Sequence, residues 1–323
     1  MEALLERPVK AARYVGRLAP SPTGALHLGN VRTFMIAYLR ARSQGGRLIM
    51  RMEDLDHPRD KPGAAAAAVA ELRFLGFEWD EEYVQSERRA YYREALASLR
   101  AAQLAYPCIC SRRDVESAQS APHAGEQLHY PGCCRGRFAT WAAARAAKGA
   151  QPVWRFRVET PSAVEFEDAF AGRCRAEVAA TLGDFPLARD EDGAGYTLAV
   201  AVDDYLMGVT EVVRGDDLIA ATPAQLLVRR ALYPHSSALG FCHVPLVVGP
   251  DGKRLAKRHG DTRIAAYRAA GVRPGAILGR LAHSCGWCEA GEEVTLAELL
   301  PRFSLASVPR SPWVVGAWPT PWR

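Results

Sequence analysis

The segment Ala19-Pro20-Ser21-Pro22-Thr23-Gly24-Ala25-Leu26-His27-Leu28-Gly29-Asn30 constrains this chain more than any other. Before it, residues 13–19 (RYVGRLA) read as a short buried strand. Two prolines and a glycine then force a turn, and from Leu28 to about residue 42 the apolar spacing is helical. Gly45-Gly46 ends that helix, and residues 47–52 alternate like a second strand. An alanine-rich helix is predicted over about 64–75, and another over about 87–103. Strand, tight turn, helix, strand, helix is the grammar of a parallel α/β sheet. Its first helix start is a natural phosphate site, because unpaired N–H groups and the helix dipole favour an anion there. Gly29 would let a nucleotide approach the backbone, and His27 sits where its imidazole can donate to phosphate oxygens.

The rhythm breaks at Pro107. Residues 108–150 hold four of the eight cysteines (Cys108, Cys110, Cys133, Cys134), a soft stretch and an alanine-rich helix. Residues 153–185 look β-rich, and the α/β pattern resumes near Tyr196 and runs to about residue 264. The stretch 108–185 therefore reads as an insertion into the sheet. Residues 262–300 look helical, and the proline- and tryptophan-rich tail from Pro301 looks irregular. Of 323 residues, 49% are apolar and 24% charged, which excludes disorder, collagen and coiled coil. No apolar run reaches 18 residues, and the first dozen residues lack the apolar core of a secretory leader; a cytoplasmic location is expected. In a reducing compartment the cysteine cluster argues for a metal or free thiols rather than disulfides. Zinc wants about four thiolate or imidazole ligands. On chemistry alone these are Cys108, Cys110, one of Cys133 and Cys134, and either His129 or His123. Cys285 and Cys288 form a C-x-x-C without a thioredoxin-like context; they read as packing cysteines, with a second metal site the other reading.

A second basic element, Gly252-Lys253-Arg254-Leu255-Ala256-Lys257-Arg258-His259-Gly260, follows the apolar run HVPLVV. Four cations in six residues suit a polyphosphate, whose charge must be neutralised in nucleotidyl transfer. Net charge is +5, which permits an RNA partner without demanding one.

An H-x-G-H-type element after the first strand and a K-M-S-K-S-type loop after a late strand together resemble the signatures of class I aminoacyl-tRNA synthetases. GRLAPSPTGALHLGNVRT, RMEDLDHPRD, YTLAVAVDDYLMGVTEVVRGDDL and GKRLAKR resemble the glutamyl-tRNA synthetase family in order and approximate spacing, over residues 13 to 265. Within that family the chain is similar to short paralogues that lack an anticodon-binding domain and glutamylate queuosine in tRNA(Asp). Only 65 residues follow Arg258, and Cys108-x-Cys110 followed by Tyr130-x3-Cys134 is similar to the paralogues' zinc pattern. The resemblance implies a Rossmann-like doubly wound sheet of two halves (13–107 and 186–261). It adds an inserted zinc-bearing α+β subdomain (108–185) and a short helical C-terminal region (262–323). It implies ATP with Mg²⁺, L-glutamate and tRNA(Asp) carrying queuosine as reactants, and one structural Zn²⁺ on Cys108, Cys110, Tyr130 and Cys134, with His129 the rival to Tyr130. It assigns His27, Gly29, Asn30 and Lys257 to ATP, with His27 and Lys257 catalytic. It assigns Arg17, Ala19, Ser21, Glu53, Tyr196 and Arg214 to glutamate. Charge agrees: free glutamate carries two carboxylates and an ammonium, so its site wants arginines and one acid. Arg17 and Glu53 close the first and second strands, whose ends meet over one crevice in such a sheet.

Three departures stand out. Asn30 replaces a histidine of the first motif, Ala256 replaces the serine of the second, and Arg254 and Arg258 occupy that motif's first and last places. Other readings are a truncated glutamyl-tRNA synthetase charging a tRNA 3′ end, a non-catalytic RNA-binding relic, and a small-molecule nucleotidyltransferase. The insertion's Arg112, Arg113, Arg135 and Arg137 are expected near RNA.

Overall fold

In the computed structural model the described residues are 14–55, 61–111, 113–115, 129–148, 151–253, 255 and 262–315. Strand β1 (Val15–Leu18) is buried throughout and leads through the proline turn into helix α1 (Leu28–Ser43). Strand β2 (Arg47–Met52), helix α2 (Ala64–Phe74), strand β3 (Glu81–Val84) and helix α3 (Arg89–Ala101) follow. The strands β1, β2 and β3 form a parallel sheet in that order, with Arg17 opposite Ile49 and Met52 opposite Val84.

Strand β4 (Ala105–Cys108), helix α4 (Trp141–Lys148) and strand β5 (Val153–Phe156) come next. They precede a hairpin of β6 (Ala163–Asp168) and β7 (Gly172–Glu177), and then β8 (Phe185–Ala188). Strands β4, β5 and β8 form an antiparallel sheet. Helix α5 (Tyr196–Leu206), strand β9 (Glu211–Gly215), helix α6 (Thr222–Leu232) and strand β10 (Gly240–Val244) complete the α/β part. The second large sheet runs β7-β6-β10-β9, with β9, β10 and β6 parallel and β7 antiparallel at its edge.

The two parallel sheets abut at β1 and β9. Val15 O accepts the Thr210 N–H at 2.9 Å, and Arg17 Nη1 donates to Val213 O at 2.7 Å. Helix α1 lies against both. Chain direction along the layer therefore runs outward from β1 through β2 to β3, and outward from β9 through β10. In open α/β sheets a ligand crevice forms where the strand order reverses, beyond the carboxyl ends of the strands.

The expected helical region 262–300 is broken into pieces, Ile264–Ala269, α7 (Pro274–His283) and Leu296–Leu299. The tail is not wholly irregular: Trp313–Val314 pairs in parallel with Val247–Val248. Cys285 is buried in the core beside α7, and Cys288 Sγ donates to Gly279 O at 3.2 Å. The C-x-x-C is thus a packing feature; among the described residues the one group of three or more metal-ligating His, Cys, Asp or Glu side chains lies elsewhere. No described helix is long and apolar enough to cross a membrane.

Candidate active site and cysteine cluster

A cleft of about 600 Å³ opens where β1 meets β9, a size typical of ligand sites. It is lined by Arg17, Ala19, Ser21, His27, Gly29, Asn30, Glu53, Tyr196 and Arg214. The fold thus brings together every residue singled out for glutamate and ATP except Lys257, which lies outside the described residues, as do Arg254, Ala256 and Arg258.

His27 is the N-cap of α1. Its Nδ1 accepts from Gly29 N–H (3.1 Å) and Asn30 N–H (3.3 Å), and Asn30 Oδ1 accepts the His27 N–H at 3.1 Å. This capping box adds a local role to Gly29 and Asn30. The Gly29 and Asn30 N–H groups are occupied by the imidazole, and the Asn30 oxygen is spent on the cap. A Cβ at Gly29 would crowd the His27 ring at 3.0 Å, so glycine gives the imidazole room there. With Nδ1 accepting, the neutral ring carries its proton on Nε2, the nitrogen able to donate to an anion. The segment after the basic loop is pinned here: Leu28 N–H donates to Thr262 O (3.0 Å) and Ile264 N–H to Leu26 O (2.9 Å).

The floor of the cleft is a buried ionic row. Arg51, fully buried in β2, donates to Asp204 Oδ1 at 2.6 Å and to Glu53 Oε1 at 2.9 Å. Arg17 Nε lies 3.9 Å from the same Asp204 oxygen and has no hydrogen-bond partner. Burial raises the Asp204 carboxyl, but the Arg51 and Arg17 charges outweigh it and hold its pKa below the ordinary value. Burial pushes the Glu53 carboxyl up, against the pull of Arg51 and Arg17. Burial lowers Arg17, with Asp204 opposing. Sequence reading missed Arg51 and Asp204. The available signal was a charge inside an apolar run (RLIMRM, AVAVDDYL), since a buried charge requires a partner.

Arg214 stands on the opposite wall at the end of β9. Its Nη1 is 3.2 Å from the Tyr196 hydroxyl at the start of α5, and its Nη2 donates to Thr222 Oγ1 at 2.8 Å. Tyr196 is 41% exposed, unusual for a large aromatic residue and consistent with its place on the cleft wall.

The second site is built of cysteines. Cys108, Cys110 and Cys134 place their sulfurs within 4.8 Å of one another. The Tyr130 hydroxyl lies 3.2 Å from Cys108 Sγ and 3.6 Å from Cys110 Sγ, and the Cys110 and Cys134 sulfurs are 3.6 Å apart. A tetrahedral zinc with bonds of about 2.3 Å to sulfur and 2.0 Å to oxygen needs edges of about 3.8 and 3.5 Å. Three thiols and a phenol at these separations fit such an ion. His129 does not join them: its Nε2 is 2.9 Å from Ala179 O, so the rival ligand is corrected. Cys133 is exposed, and His123 lies outside the described residues. Gly183 adopts φ +60° beneath Tyr130, where a Cβ would collide with the Tyr130 carbonyl; glycine there lets the tyrosine approach. Arg155 lies 3.8 Å above the Tyr130 ring and donates to Cys108 Sγ at 3.2 Å. Burial, aided by the neighbouring sulfurs, pushes the Tyr130 phenol far up, and burial first of all pushes the Cys110 thiol up to about 12.

Beside the cluster a concavity of about 710 Å³ is lined by Arg100, Arg135, Arg157, Phe138 and Trp154, among others, and by no acidic side chain among the described residues. Arg135 pairs with buried Asp184, and Arg137 stacks on Phe138. Arg113 is exposed, and Arg112 lies outside the described residues.

Residues 14–315 match the family described as "tRNA synthetases class I (E and Q), catalytic domain". The chain belongs to that family. It is 47% identical to the glutamyl-Q tRNA(Asp) synthetase of Symbiobacterium thermophilum, over 92% of this chain and 94% of the relative. It is 46% identical to the protein of that name from Rhodopirellula baltica, over 93% of each. This places it in the glutamyl-Q tRNA(Asp) synthetase branch and makes it a ligase of the aminoacyl-tRNA synthetase type. A solved structure of a glutamate tRNA ligase from Elizabethkingia meningosepticum, in complex with its amino acid, superposes with a TM-score of 0.77. The two are 26% identical, over 94% of this chain and 67% of that one. The class I synthetase fold, with ATP as the activating reactant, follows from membership.

Proposed function

We propose that this enzyme activates L-glutamate as glutamyl-adenylate and transfers it to the cyclopentenediol of queuosine at the wobble position of tRNA(Asp). The observation that carries the reading is the cleft itself. Arg17, Glu53, Tyr196 and Arg214, from four elements, face one space with His27 at its rim. The near-full-length identity to glutamyl-Q tRNA(Asp) synthetases favours queuosine over a 3′-terminal ribose as acceptor.

Arg214, steadied by Tyr196 and Thr222, takes one substrate carboxylate, and Arg17 takes the other. Glu53 receives the ammonium, its charge held in balance by Arg51. Ala19 and Ser21, on the turn after β1, contact the substrate backbone. The carboxylate then attacks the α-phosphorus of ATP; the new bond is carboxylate oxygen to phosphorus, and pyrophosphate leaves with the bridging oxygen. His27 Nε2–H and the Lys257 ammonium stabilise charge on the phosphoryl oxygens, with Gly29 and Asn30 holding the imidazole in place. Mg²⁺ accompanies the nucleotide. In the second step a queuosine hydroxyl attacks the activated carbonyl and AMP departs.

Cys108, Cys110, Tyr130 and Cys134 would hold one structural zinc, which would supply the positive charge that lets thiolates and a phenolate remain buried. An ion held by these four side chains would have no open position for substrate. The division into two sheet halves, 13–107 and 186–261, with the intervening 108–185 carrying zinc and a C-terminal 262–323, belongs to the same proposal. So does a tRNA path over the acid-free concavity at Arg100, Arg135 and Arg157. Glutamate-dependent ATP–pyrophosphate exchange tests the first step, and label transfer to queuosine-containing tRNA tests the second. Absence of exchange contradicts the reading.

A further inference from the structure

Three neighbouring strands of the second sheet carry a row of buried polar side chains. Arg214 on β9 is in register with His243 on β10, and Asp168 ends β6 on the far side. His243 Nδ1 is 2.6 Å from Asp168 Oδ2, both side chains being fully buried. His243 Nε2 accepts from Arg214 Nε at 3.0 Å. An arginine cannot accept and an ionised carboxylate cannot donate, so this chain of contacts admits one tautomer: proton on Nδ1, lone pair on Nε2. Asp168 is itself fixed. Its Oδ1 accepts the N–H groups of Phe170 and Ala171, each at 2.8 Å, and its Oδ2 also accepts the His243 N–H at 3.1 Å. Burial, with the Arg214 charge adding, lowers the His243 pKa despite Asp168, which favours the neutral ring.

We propose that Asp168 and His243 are a positioning pair: by locking the imidazole with Nε2 as acceptor they hold the Arg214 guanidinium in the orientation that presents Nη1 to the cleft. This rests on the reading that Arg214 anchors a carboxylate of glutamate. Neither residue touches substrate. Together with Thr222 on Nη2, the imidazole fixes two of the three guanidinium nitrogens from behind, so the fork is rigid before substrate arrives. The pair also makes the site sensitive to a single atom. In Asp168→Asn one of the two acceptor oxygens becomes an NH₂, so either the Phe170 and Ala171 N–H groups or the His243 N–H and Nδ1–H lose their acceptor. In both cases the support behind the imidazole is weakened.

The test combines kinetics and nitrogen-15 NMR of histidine-labelled protein. In the wild-type protein the NMR spectrum should show His243 protonated on Nδ1 and bare on Nε2; a protonated Nε2 overturns the proposal whatever the variants do. His243→Asn should raise the KM for glutamate in pyrophosphate exchange by about ten- to a hundredfold, the worth of a hydrogen bond to a charged group. The KM for ATP should stay within about twofold. His243→Gln, whose amide oxygen reaches the place of Nε2, should restore most of the loss, and Asp168→Asn should resemble His243→Asn. Equal effects on glutamate and ATP, or a Gln variant no better than Asn, would reduce the pair to a structural contact and overturn the proposal. If the wild-type enzyme shows no exchange at all, the glutamate reading fails separately, and the tautomer still decides the pair.

Discussion

The cleft and the cysteine cluster both take ionisable groups out of water, but they balance charge in opposite ways. In the cleft the protein carries its own counter-charges. Arg51 sits between Asp204 and Glu53, and Arg17 lies beside Asp204, so the row is close to neutral without a ligand. In the cluster, three sulfurs and a phenol oxygen converge, with Arg155 against them among the described residues. Burial pushes the Tyr130 phenol and the Cys110 thiol up, which disfavours their charged forms, whereas Cys134 is shifted down by its hydrogen-bonding neighbours despite burial. The cleft therefore carries its own counter-charges, whereas the cluster would take its full complement of charge from a bound divalent cation.

The largest effects should come from removing what each region cannot replace. Lys257→Ala should reduce glutamate-dependent pyrophosphate exchange by about a hundredfold or more, the scale seen when a preorganised charge-stabilising group is lost. The melting temperature should not move; unchanged exchange would remove Lys257 from the chemistry. Cys134→Ser or chelation should remove one zinc per chain and lower the melting temperature on the order of 10 °C, since structural zinc contributes folding energy directly. Elemental analysis showing no zinc in untreated protein would erase the comparison. In the cleft, Arg51→Met alone strands Asp204 and should cost about 3–5 kcal/mol in urea melts. The double change Arg51→Met with Asp204→Leu should recover most of that stability while glutamate binding stays lost. Recovery of both would show the row to be structural only.

A smaller effect separates the regions by pH. Burial raises Asp168, but His243 and the Phe170 and Ala171 N–H groups together bring its pKa down to about 2, from an ordinary 3.8. Its contribution is complete above pH 4 and is lost as pH falls through 2. His243 is lowered from 6.5 by burial, so the folded state favours the neutral ring, and stability declines as pH falls below 6.5. Both act in the same direction. Unfolding free energy should fall between pH 7 and pH 4, and less steeply in His243→Gln; identical slopes would contradict the buried neutral imidazole. The smallest effect is expected at the exposed β6–β7 pair Arg173–Glu165, where Arg173→Ala should shift the melting temperature by no more than about 1 °C.

What the sequence made legible was local. Pro20, Pro22 and Gly24 announce the turn between β1 and α1, and the C-x-C and Y-x3-C spacings bring four candidate zinc ligands within one stretch. Both signals lie within about thirty residues, where chain geometry alone limits the outcome. The pairs left unread are long-range. Arg51 finds Asp204 across 153 positions and His243 finds Asp168 across 75. Alternation in AVEFEDAF announces a strand but not that β10 is its neighbour. The place of His27 at the start of α1 was legible, and its cap geometry was not. Only the α1 cap geometry shows that Nδ1 is spent on Gly29 and Asn30, leaving Nε2 as the donor.

The central claim is the acceptor. Labelled glutamate and ATP should be offered to two bulk tRNA pools, one from cells that make queuosine and one from cells that cannot. Label is expected on the queuosine-containing pool alone. Equal labelling of both pools would contradict it and identify an enzyme that charges the tRNA 3′ end.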